Sequence, residues 1–372
     1  MRAHTKICCF CERWESGGIE SFLNNVIQHL TTGKIQVDIV AAQLCKSIFT
    51  EPLQRKGVRF FELSGSQRAL HQNYKIFTAL LQEEQYNVVY LNIFHGLSLY
   101  YAKLAAQAGV PVRIAHSHNT ALRQSLTKPY KLLIHRMAKY LFSDFATEFW
   151  ACSTQAAEFL FSKRTLKQQG FQLIPNGIDT ERFRFQEDVR TAVRNDLGLS
   201  GKFVIGNVGR LCCQKNQSFL LEVFAEISKR RPNSRLLLIG EGDDLAMLQE
   251  RTKQLKLENA VIFYGAASHV ERLLWAMDVF IFPSLFEGLG IAAVEAQASG
   301  LIAFCSKYVP MEAAVTPLFH TLDLEDGPAE WGQTLLKWKG LPVERQNYAK
   351  EVCSSGFDIK NVARKIEAYW TR

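Results

Sequence analysis

The chain has 372 residues, of which 47% are hydrophobic and 22% are charged, and its formal net charge is +8. This length predicts two domains, because a single hydrophobic core rarely serves more than about 250–300 residues. No apolar run reaches about 18 residues, and the run near the N-terminus is too short for a signal peptide, so neither a transmembrane helix nor a secretory leader is expected.

The positive charge belongs to the first half of the chain. Residues 1–170 contain 20 Lys and Arg against 11 Asp and Glu, a balance of +9, whereas the remainder contains 24 against 25. The asymmetry predicts an anionic partner for the first half: a membrane surface, a phosphate-bearing acceptor or nucleic acid. No nucleic-acid-binding motif accompanies the charge, so nucleic acid is not the expected partner.

The nine cysteines are scattered and odd in number, which favours a reducing cytosol over a disulfide framework. Cys8, Cys9 and Cys11, and the pair Cys212-Cys213, lack the spacing of metal ligands. We therefore interpret these cysteines as packing residues.

Predicted strands and helices alternate over the first 180 residues. Apolar runs with strand character cover residues 6–11, 35–41, 58–63, 87–92, 110–115, 148–152 and 171–175. Gly17 and Gly18 open a helix whose apolar residues recur with the helical period as far as Leu30. Glycines at a helix N-terminus let a ligand approach the backbone, and the exposed N–H groups favour an anion. A flexible helix start is an equally favoured alternative.

Two histidines, His116 and His118, follow the strand predicted at residues 110–115. A His-x-His pair can bind zinc, but no third ligand lies at a plausible spacing. A histidine that contacts a ligand in a cleft is the favoured interpretation, and a hydrogen-bonded loop histidine is the alternative.

A basic, aromatic segment covers residues 122–145. Its five cations lie among aromatic and aliphatic side chains and are Arg123, Lys128, Lys131, Arg136 and Lys139. Such an amphipathic helix can lie on an anionic bilayer. The alternative is an ordinary domain helix with one solvated face, and the basic character of the whole half favours the membrane.

A second α/β series begins at Phe203, after a polar stretch through Ser200 that is predicted to connect the domains. Its predicted strands are followed by helices, and this alternation indicates a doubly wound parallel sheet. Arg210 and Lys215 lie in one strand-to-helix loop of this series. Two cations near a helix N-terminus suit a diphosphate, and they could neutralise it as a leaving group without a metal. A solvated surface loop is the alternative.

Glu287 and Glu295 lie at a glycine-punctuated turn and on the alanine-rich helix that follows it and stops at Gly300. The turn follows a strand, and open α/β sheets bind ligands at the carboxyl ends of their strands. If all seven intervening residues were helical, the eight steps between the glutamates would give a rise of roughly 12 Å at about 1.5 Å per residue, which is about the reach from the sugar to the ribose of a nucleotide-sugar. Two glutamates that cap a buried helix are the alternative.

Four motifs together resemble those of the retaining glycosyltransferases of family 4, in the same order. They are Gly17-Gly18-x-Glu20, Pro175-Asn176-Gly177-Ile178-Asp179, Gly209-Arg210-x4-Lys215-Asn216 and Glu287-x7-Glu295. The resemblance covers nearly the whole chain. Residues 114–119 resemble the branch that builds exopolysaccharide and capsule.

This resemblance implies an α/β protein with the GT-B fold, in which two facing Rossmann-like doubly wound parallel-sheet domains have the active site in the cleft between them. We expect an N-terminal, acceptor-side domain at residues 1–180 and a nucleotide-sugar-binding domain at residues 190–356. The C-terminal helix, residues 359–372, is expected to pack back on the first domain.

The resemblance also implies roles for single residues. Arg210 and Lys215 would bind the donor diphosphate, which Gly17 and Gly18 would face from the other domain. Glu295 would accept hydrogen bonds from the ribose hydroxyls. The remaining candidates lie near the donor sugar, and they are His116 or His118, Glu287, Gly288, Leu289 and Gly290. The choice between the two histidines stays open, and no carboxylate needs to act as a nucleophile.

The expected activity is transfer of a sugar, with retention, from a nucleotide-sugar, most simply a UDP-sugar, to a lipid-linked or polysaccharide acceptor. Neither a cofactor nor a metal is expected, since no Asp-x-Asp motif occurs. We expect a cytoplasmic protein held peripherally on the inner face of the plasma membrane. A non-catalytic nucleotide-sugar-binding or scaffolding protein is the alternative. A sugar-nucleotide epimerase shares the broad fold but is not favoured by these motifs.

Overall fold

The computed structural model describes residues 5–122, 128–337 and 344–372. The chain divides into two compact units, Met1–Ile178 with Ile359–Arg372 and Asp179–Asp358. Each unit is built on its own parallel sheet flanked by helices, as the alternation of strands and helices in the sequence predicts.

The first unit has a seven-stranded sheet, in which the spatial order of strands is β3-β2-β1-β4-β5-β6-β7. Its strands are β1 (Thr5–Trp14), β2 (Ile35–Leu44), β3 (Arg59–Glu62), β4 (Val88–Ile93), β5 (Val112–Ser117), β6 (Glu148–Ala151) and β7 (Gln172–Leu173). Its helices are α1 (Gly18–Gln28), α2 (Thr50–Arg55), α3 (Leu70–Glu84), α4 (Tyr100–Gln107), α5 (Lys128–Phe142), α6 (Thr154–Leu160) and α7 (Lys163–Gln169).

The second unit begins with two helices, α8 (Thr180–Phe183) and α9 (Glu187–Asp196), and has a six-stranded sheet of order β10-β9-β8-β11-β12-β13. The strands are β8 (Phe203–Val208), β9 (Ser234–Ile239), β10 (Val261–Gly265), β11 (Val279–Phe282), β12 (Ile302–Ser306) and β13 (Phe319–Leu322). The further helices are α10 (Gln217–Arg230), α11 (Leu245–Gln254), α12 (Val270–Ala276), α13 (Ile291–Ala298), α14 (Gly327–Lys337) and α15 (Tyr348–Val352).

The last helix, α16 (Ile359–Trp370), belongs to the first unit and packs on α1. Its apolar face enters the core that contains Trp14 and Tyr90. The Glu367 carboxylate accepts hydrogen bonds from the backbone N–H groups of Thr31 and Thr32, the latter at 2.6 Å. A Cβ at Gly177 would lie 2.9 Å from the Ile359 Cα, so glycine permits this close approach.

The polar stretch before Ser200, predicted to be a connection, is instead part of the second unit. Charged side chains hold α9 there, because Arg190 and Arg194 bind Asp278 at N–O distances of 2.6 and 3.3 Å. The prediction missed these helices because their sequence is polar, and it is their arginines that make the contacts.

The predicted strand ends also shift. The first strand continues to Trp14, beyond its predicted end at residue 11, and therefore contains Glu12. His116 lies within β5, whereas His118 follows it.

The cysteine prediction is partly wrong. Cys8, Cys9 and Cys11 are buried and packed, but Cys213 is exposed. Among the described residues, no helix has the length and apolar character needed to cross a membrane.

Candidate active site

In the second unit, the loop after β8 is tied to the turn after β11 by a largely buried ion pair. Lys215 Nζ lies 2.6 Å from Glu287 Oε1, and the two side chains are 17% and 7% exposed. The same ammonium lies 4.8 Å from the centre of the Phe282 ring. Two residues that the sequence predicts as donor ligands therefore contact each other.

Backbone contacts join the two loops around this pair. The Leu285 N–H donates to the Gln214 carbonyl at 2.8 Å, and the Gln214 amide donates back to the Phe286 carbonyl at 2.9 Å. Asn216 adopts the left-handed conformation at φ 55° and precedes α10 as its N-terminal cap. Its side chain donates to the Pro283 carbonyl. The position of Lys215 is thus fixed from both sides.

Arg210 lies in the same loop and is exposed. Its carbonyl accepts a hydrogen bond from the Gln217 side chain at 3.0 Å. The loop packs closely on the next one, since a Cβ at Gly240 would lie 2.1 Å from the Gly209 carbonyl oxygen. Arg210 is therefore presented to solvent by a backbone that its neighbours hold in place.

The turn from Glu287 to Gly290 leads directly into α13. Gly290 has φ 87°, and a Cβ there would lie 2.8 Å from Val309 Cγ1, so both conformation and packing require glycine. Leu289 is buried. Because α13 begins only at Ile291, the seven residues between the two glutamates are not all helical, and the condition for the roughly 12 Å separation is not met.

Glu295 lies on α13 with a half-buried side chain. Burial raises its pKa to about 7; Glu271 adds to this rise, and the cations Arg182 and Lys215 oppose it. Arg182 Nε donates to Glu271 Oε2 at 2.9 Å. Sequence reasoning missed Arg182 and Glu271, although Arg182 comes only three residues after the Pro175–Asp179 motif.

In the first unit, the two predicted histidines contact each other, with ring centres 3.9 Å apart. His116 is fully buried, and its Nδ1 lies 2.6 Å from the Tyr90 hydroxyl. His118 is 8% exposed, and its Nε2 lies 3.0 Å from Asn92 Oδ1. Burial lowers the pKa of His116 well below its usual value. Burial also lowers the pKa of His118 to about 3, against a smaller effect of the Asn176 side chain.

Both histidines are therefore neutral at physiological pH. Asn92 was not singled out from the sequence, and Asn176 was seen there only as part of a turn. The side chain of Phe22 on α1 contacts both rings at centroid distances of 5.5 Å, so the start of α1 lies close to the pair.

Gly17 precedes α1 as its N-terminal cap, and Gly18 is the first helical residue. A Cβ at Gly18 would meet no heavy atom of the described residues within 4 Å. Packing in the described part of the chain thus does not explain glycine at this position.

A further polar cluster in the first unit was missed because Glu12 lies beyond the predicted end of the first strand. Glu12 Oε2 lies 3.3 Å from His95 Nε2, and Ser98 Oγ donates to Glu12 Oε1. Burial raises the Glu12 pKa, but His95 and Ser98 outweigh it and the pKa falls. Burial lowers the His95 pKa, but Glu12 outweighs it and the pKa rises.

Comparison with known proteins defines the class. The family model "Glycosyltransferase Family 4" matches residues 16–182, and "Glycosyl transferases group 1" matches residues 189–328. In crystal structures, HepE of Anabaena in complex with UDP-glucose superposes with a TM-score of 0.75 over 99% of this chain and 100% of that one, at 20% identity. The fold is GT-B.

Two curated relatives agree with this class. The putative glycosyltransferase EpsF of Bacillus subtilis (strain 168) is 28% identical over 359 residues, which are 95% of this chain and 93% of EpsF. The UDP-Gal:alpha-D-GlcNAc-diphosphoundecaprenol alpha-1,3-galactosyltransferase of Escherichia coli is 28% identical over 60% of this chain and 58% of its own length. Fold, family models and relatives together support a glycosyltransferase of the GT-B fold.

Proposed function

We propose that this chain transfers a sugar from a UDP-sugar to a lipid-linked or polysaccharide acceptor, with retention, in exopolysaccharide or capsule synthesis. The observation that carries the proposal is the buried Lys215–Glu287 pair beside the exposed Arg210. The UDP-glucose bound by HepE and the diphosphoundecaprenol-linked substrate in the name of the E. coli relative support this choice of donor and acceptor.

In the proposed donor site, residues of the second unit make most of the contacts with the donor. Arg210 and Lys215 bind the diphosphate, and Glu295 accepts hydrogen bonds from the ribose. Glu287 binds the sugar hydroxyls, and the backbone of residues 288–290 approaches the sugar and phosphates. Gly17 and Gly18, at the start of α1, remain the predicted diphosphate contacts of the first unit.

Of the two histidines, we assign His118 to the donor sugar, because it retains exposed surface and His116 has none. A neutral imidazole whose Nε2–H donates to Asn92 Oδ1 keeps an acceptor at Nδ1, an atom that is buried and has no hydrogen-bond partner among the described residues.

In the proposed reaction the acceptor oxygen forms a bond to the anomeric carbon on the face that the diphosphate leaves. The bond from that carbon to the phosphate oxygen breaks, and the leaving diphosphate keeps the electron pair. The proton of the acceptor hydroxyl passes to the diphosphate. Arg210 and Lys215 stabilise the charge that develops there. Because Glu287 is ion-paired with Lys215, we assign it to binding and not to nucleophilic attack.

A screen of UDP-, GDP- and dTDP-sugars by thermal shift and by donor hydrolysis tests the proposal. We expect a UDP-sugar both to stabilise the protein and to be slowly hydrolysed. Stabilisation without hydrolysis or transfer to any acceptor would favour the non-catalytic binding protein. No response to any UDP-sugar would contradict the proposed donor.

Transfer should persist in excess EDTA, because two protein cations are proposed to neutralise the diphosphate. The measurement is the transfer rate with EDTA and after addition of Mn²⁺ or Mg²⁺. Complete loss in EDTA that either metal restores would show that Arg210 and Lys215 do not suffice.

Donor affinity should depend on the ionisation of Glu295. Its pKa of about 7 means that the free protein holds a proton on this carboxyl below neutral pH. The ribose hydroxyls donate to the ionised form, so binding releases that proton. Affinity for UDP-glucose should therefore fall as the pH drops through 7, approaching about tenfold per pH unit below it.

Calorimetric titration with UDP-glucose over the neutral range measures this dependence. UDP-glucose is preferable to UDP because its diphosphate does not titrate near neutral pH. The Glu295→Gln variant serves as the reference, since its affinity should be weaker and independent of pH. An equal pH dependence in both proteins would remove Glu295 from the ribose site.

A further inference from the structure

The outward side of α5 is apolar. Five of its large side chains are exposed, by 55–67%, and they are Tyr130, Leu133, Met137, Tyr140 and Leu141. At 3.6 residues per turn these five lie within an arc of about 100°. Helices of soluble domains normally turn such a stripe toward the core, so its exposure calls for a partner.

The opposite side of α5 is already fixed to the first unit. His135 and Ala138 are buried, and His135 Nδ1 accepts from the Gly96 N–H at 2.9 Å. A Cβ at Gly96 would lie 2.5 Å from the His135 carbonyl oxygen, which shows how closely the helix packs there. The core-facing side of α5 is therefore already packed, and the apolar stripe is a separate, exposed surface.

Contacts on this side of α5 also remove Lys139 from the five cations predicted to dock the segment on a membrane. The Lys139 ammonium donates to the carbonyls of Glu158 and Phe159 at 2.9 and 3.0 Å, and its pKa is lowered, first by burial. Arg123 and the side chain of Lys128 lie outside the described residues. Within the described part of the segment, the exposed cations are Lys131 and Arg136.

Charge and shape favour one occupant for the stripe. Arg136 lies near one edge of the stripe, Lys131 is exposed in the first turn of α5, and residues 1–170 carry the excess of positive charge. The two tyrosines combine an apolar ring with a polar tip, as residues at a membrane–water boundary do. An apolar stripe accompanied by exposed cations matches a bilayer with anionic headgroups.

We propose that α5 lies in the surface of an anionic bilayer and inserts its apolar stripe between the lipids. Leu133, Met137 and Leu141 enter the acyl region, while Lys131 and Arg136 contact headgroup phosphates. This inference deepens the proposed function, on which it rests for the lipid-linked acceptor. Binding differs from electrostatic docking, because apolar contacts persist when salt screens the charges.

Co-sedimentation with vesicles of neutral phosphatidylcholine, alone or mixed with anionic phosphatidylglycerol, tests the proposal. The wild-type protein should pellet with the mixed vesicles and should be only partly released by high salt. The variant Leu133→Ser, Met137→Ser, Tyr140→Ser should lose about tenfold or more in vesicle affinity. The variant Lys131→Gln, Arg136→Gln should lose the preference for anionic lipid.

Met247→Ser is the matched control, because Met247 is 47% exposed on α11 of the second unit. Its vesicle binding should equal that of the wild type. Donor hydrolysis without vesicles separates the two proposals, since the serine variants should retain it if they are folded and the transferase assignment is right.

Failure of the wild type to pellet with anionic vesicles would overturn the inference, and so would pelleting of the triple serine variant to the same extent as the wild type. If the wild type does not bind vesicles and is a dimer that the triple variant converts to a monomer, a second copy covers α5.

Discussion

Replacement of Lys215 by alanine is expected to lower kcat/KM for the donor by roughly 10²- to 10³-fold, which corresponds to about 2.7–4 kcal/mol of transition-state stabilisation. The substitution removes a cation proposed to neutralise the leaving diphosphate. It also removes the ammonium that lies 2.6 Å from the buried Glu287 carboxylate, so the sugar-binding side of the site loses a constraint.

Lys229→Ala is the matched control for this experiment. Lys229 is also ion-paired to a glutamate, Glu226, but lies 67% exposed on α10, and its loss should leave kcat/KM unchanged. Thermal unfolding of both variants separates a lost contact from lost structure. Turnover of Lys215→Ala at the wild-type rate would remove Lys215 from the diphosphate site.

The fold could be predicted from the sequence because its determinants are local. Buried parallel strands appear as short apolar runs, and the helix that begins at Gly18 shows its period over three turns. The helices α8 and α9 were missed for the opposite reason. Their sequence is polar, and contacts such as Arg190–Asp278 join residues 88 positions apart in the chain.

The site could be predicted as a set of residues but not as an arrangement. The motifs identify both Lys215 and Glu287 as site residues. They do not predict that the two side chains contact each other, because these residues are 72 positions apart in the chain. The pKa of Glu295 is raised first by burial. Arg182 lowers it and Glu271 raises it, and both residues come from other elements. Likewise, the sequence places Lys139 in a basic, amphipathic segment that is typical of a membrane-binding helix. Its structural role is shown only by its hydrogen bonds to the Glu158 and Phe159 carbonyls of α6.

The polar clusters of the first unit divide by their place on the sheet. His118 follows the end of β5, and parallel sheets bind ligands at this carboxyl edge. A second cluster lies near the amino ends of the strands, where Asp38 of β2 is fully buried. Arg59 is the first residue of β3. Its Nε lies 2.8 Å from Asp38 Oδ1, and its guanidinium also binds Glu84. Its place predicts a role in stability and not in catalysis.

Replacement of Arg59 by methionine is expected to lower the free energy of unfolding by about 3 kcal/mol, near the lower end for breaking a buried pair because Arg59 is 40% exposed. Asp38 keeps the Tyr86 hydroxyl at 2.8 Å but loses its counter-charge. For a unit of this size, the melting temperature should fall by roughly 6–12 °C. Activity below the transition should stay unchanged, in contrast to Lys215→Ala.

Arg55→Ala provides the comparison, because Arg55 and its partner Glu51 are both 74% exposed and their loss should cost at most about 0.5 kcal/mol. Adding Asp38→Asn to Arg59→Met should recover part of the lost stability, since a neutral amide no longer buries a charge without its arginine. The unfolding curves of the four proteins measure both effects. Equal melting temperatures for Arg59→Met and Arg55→Ala would show that the buried carboxylate does not depend on Arg59.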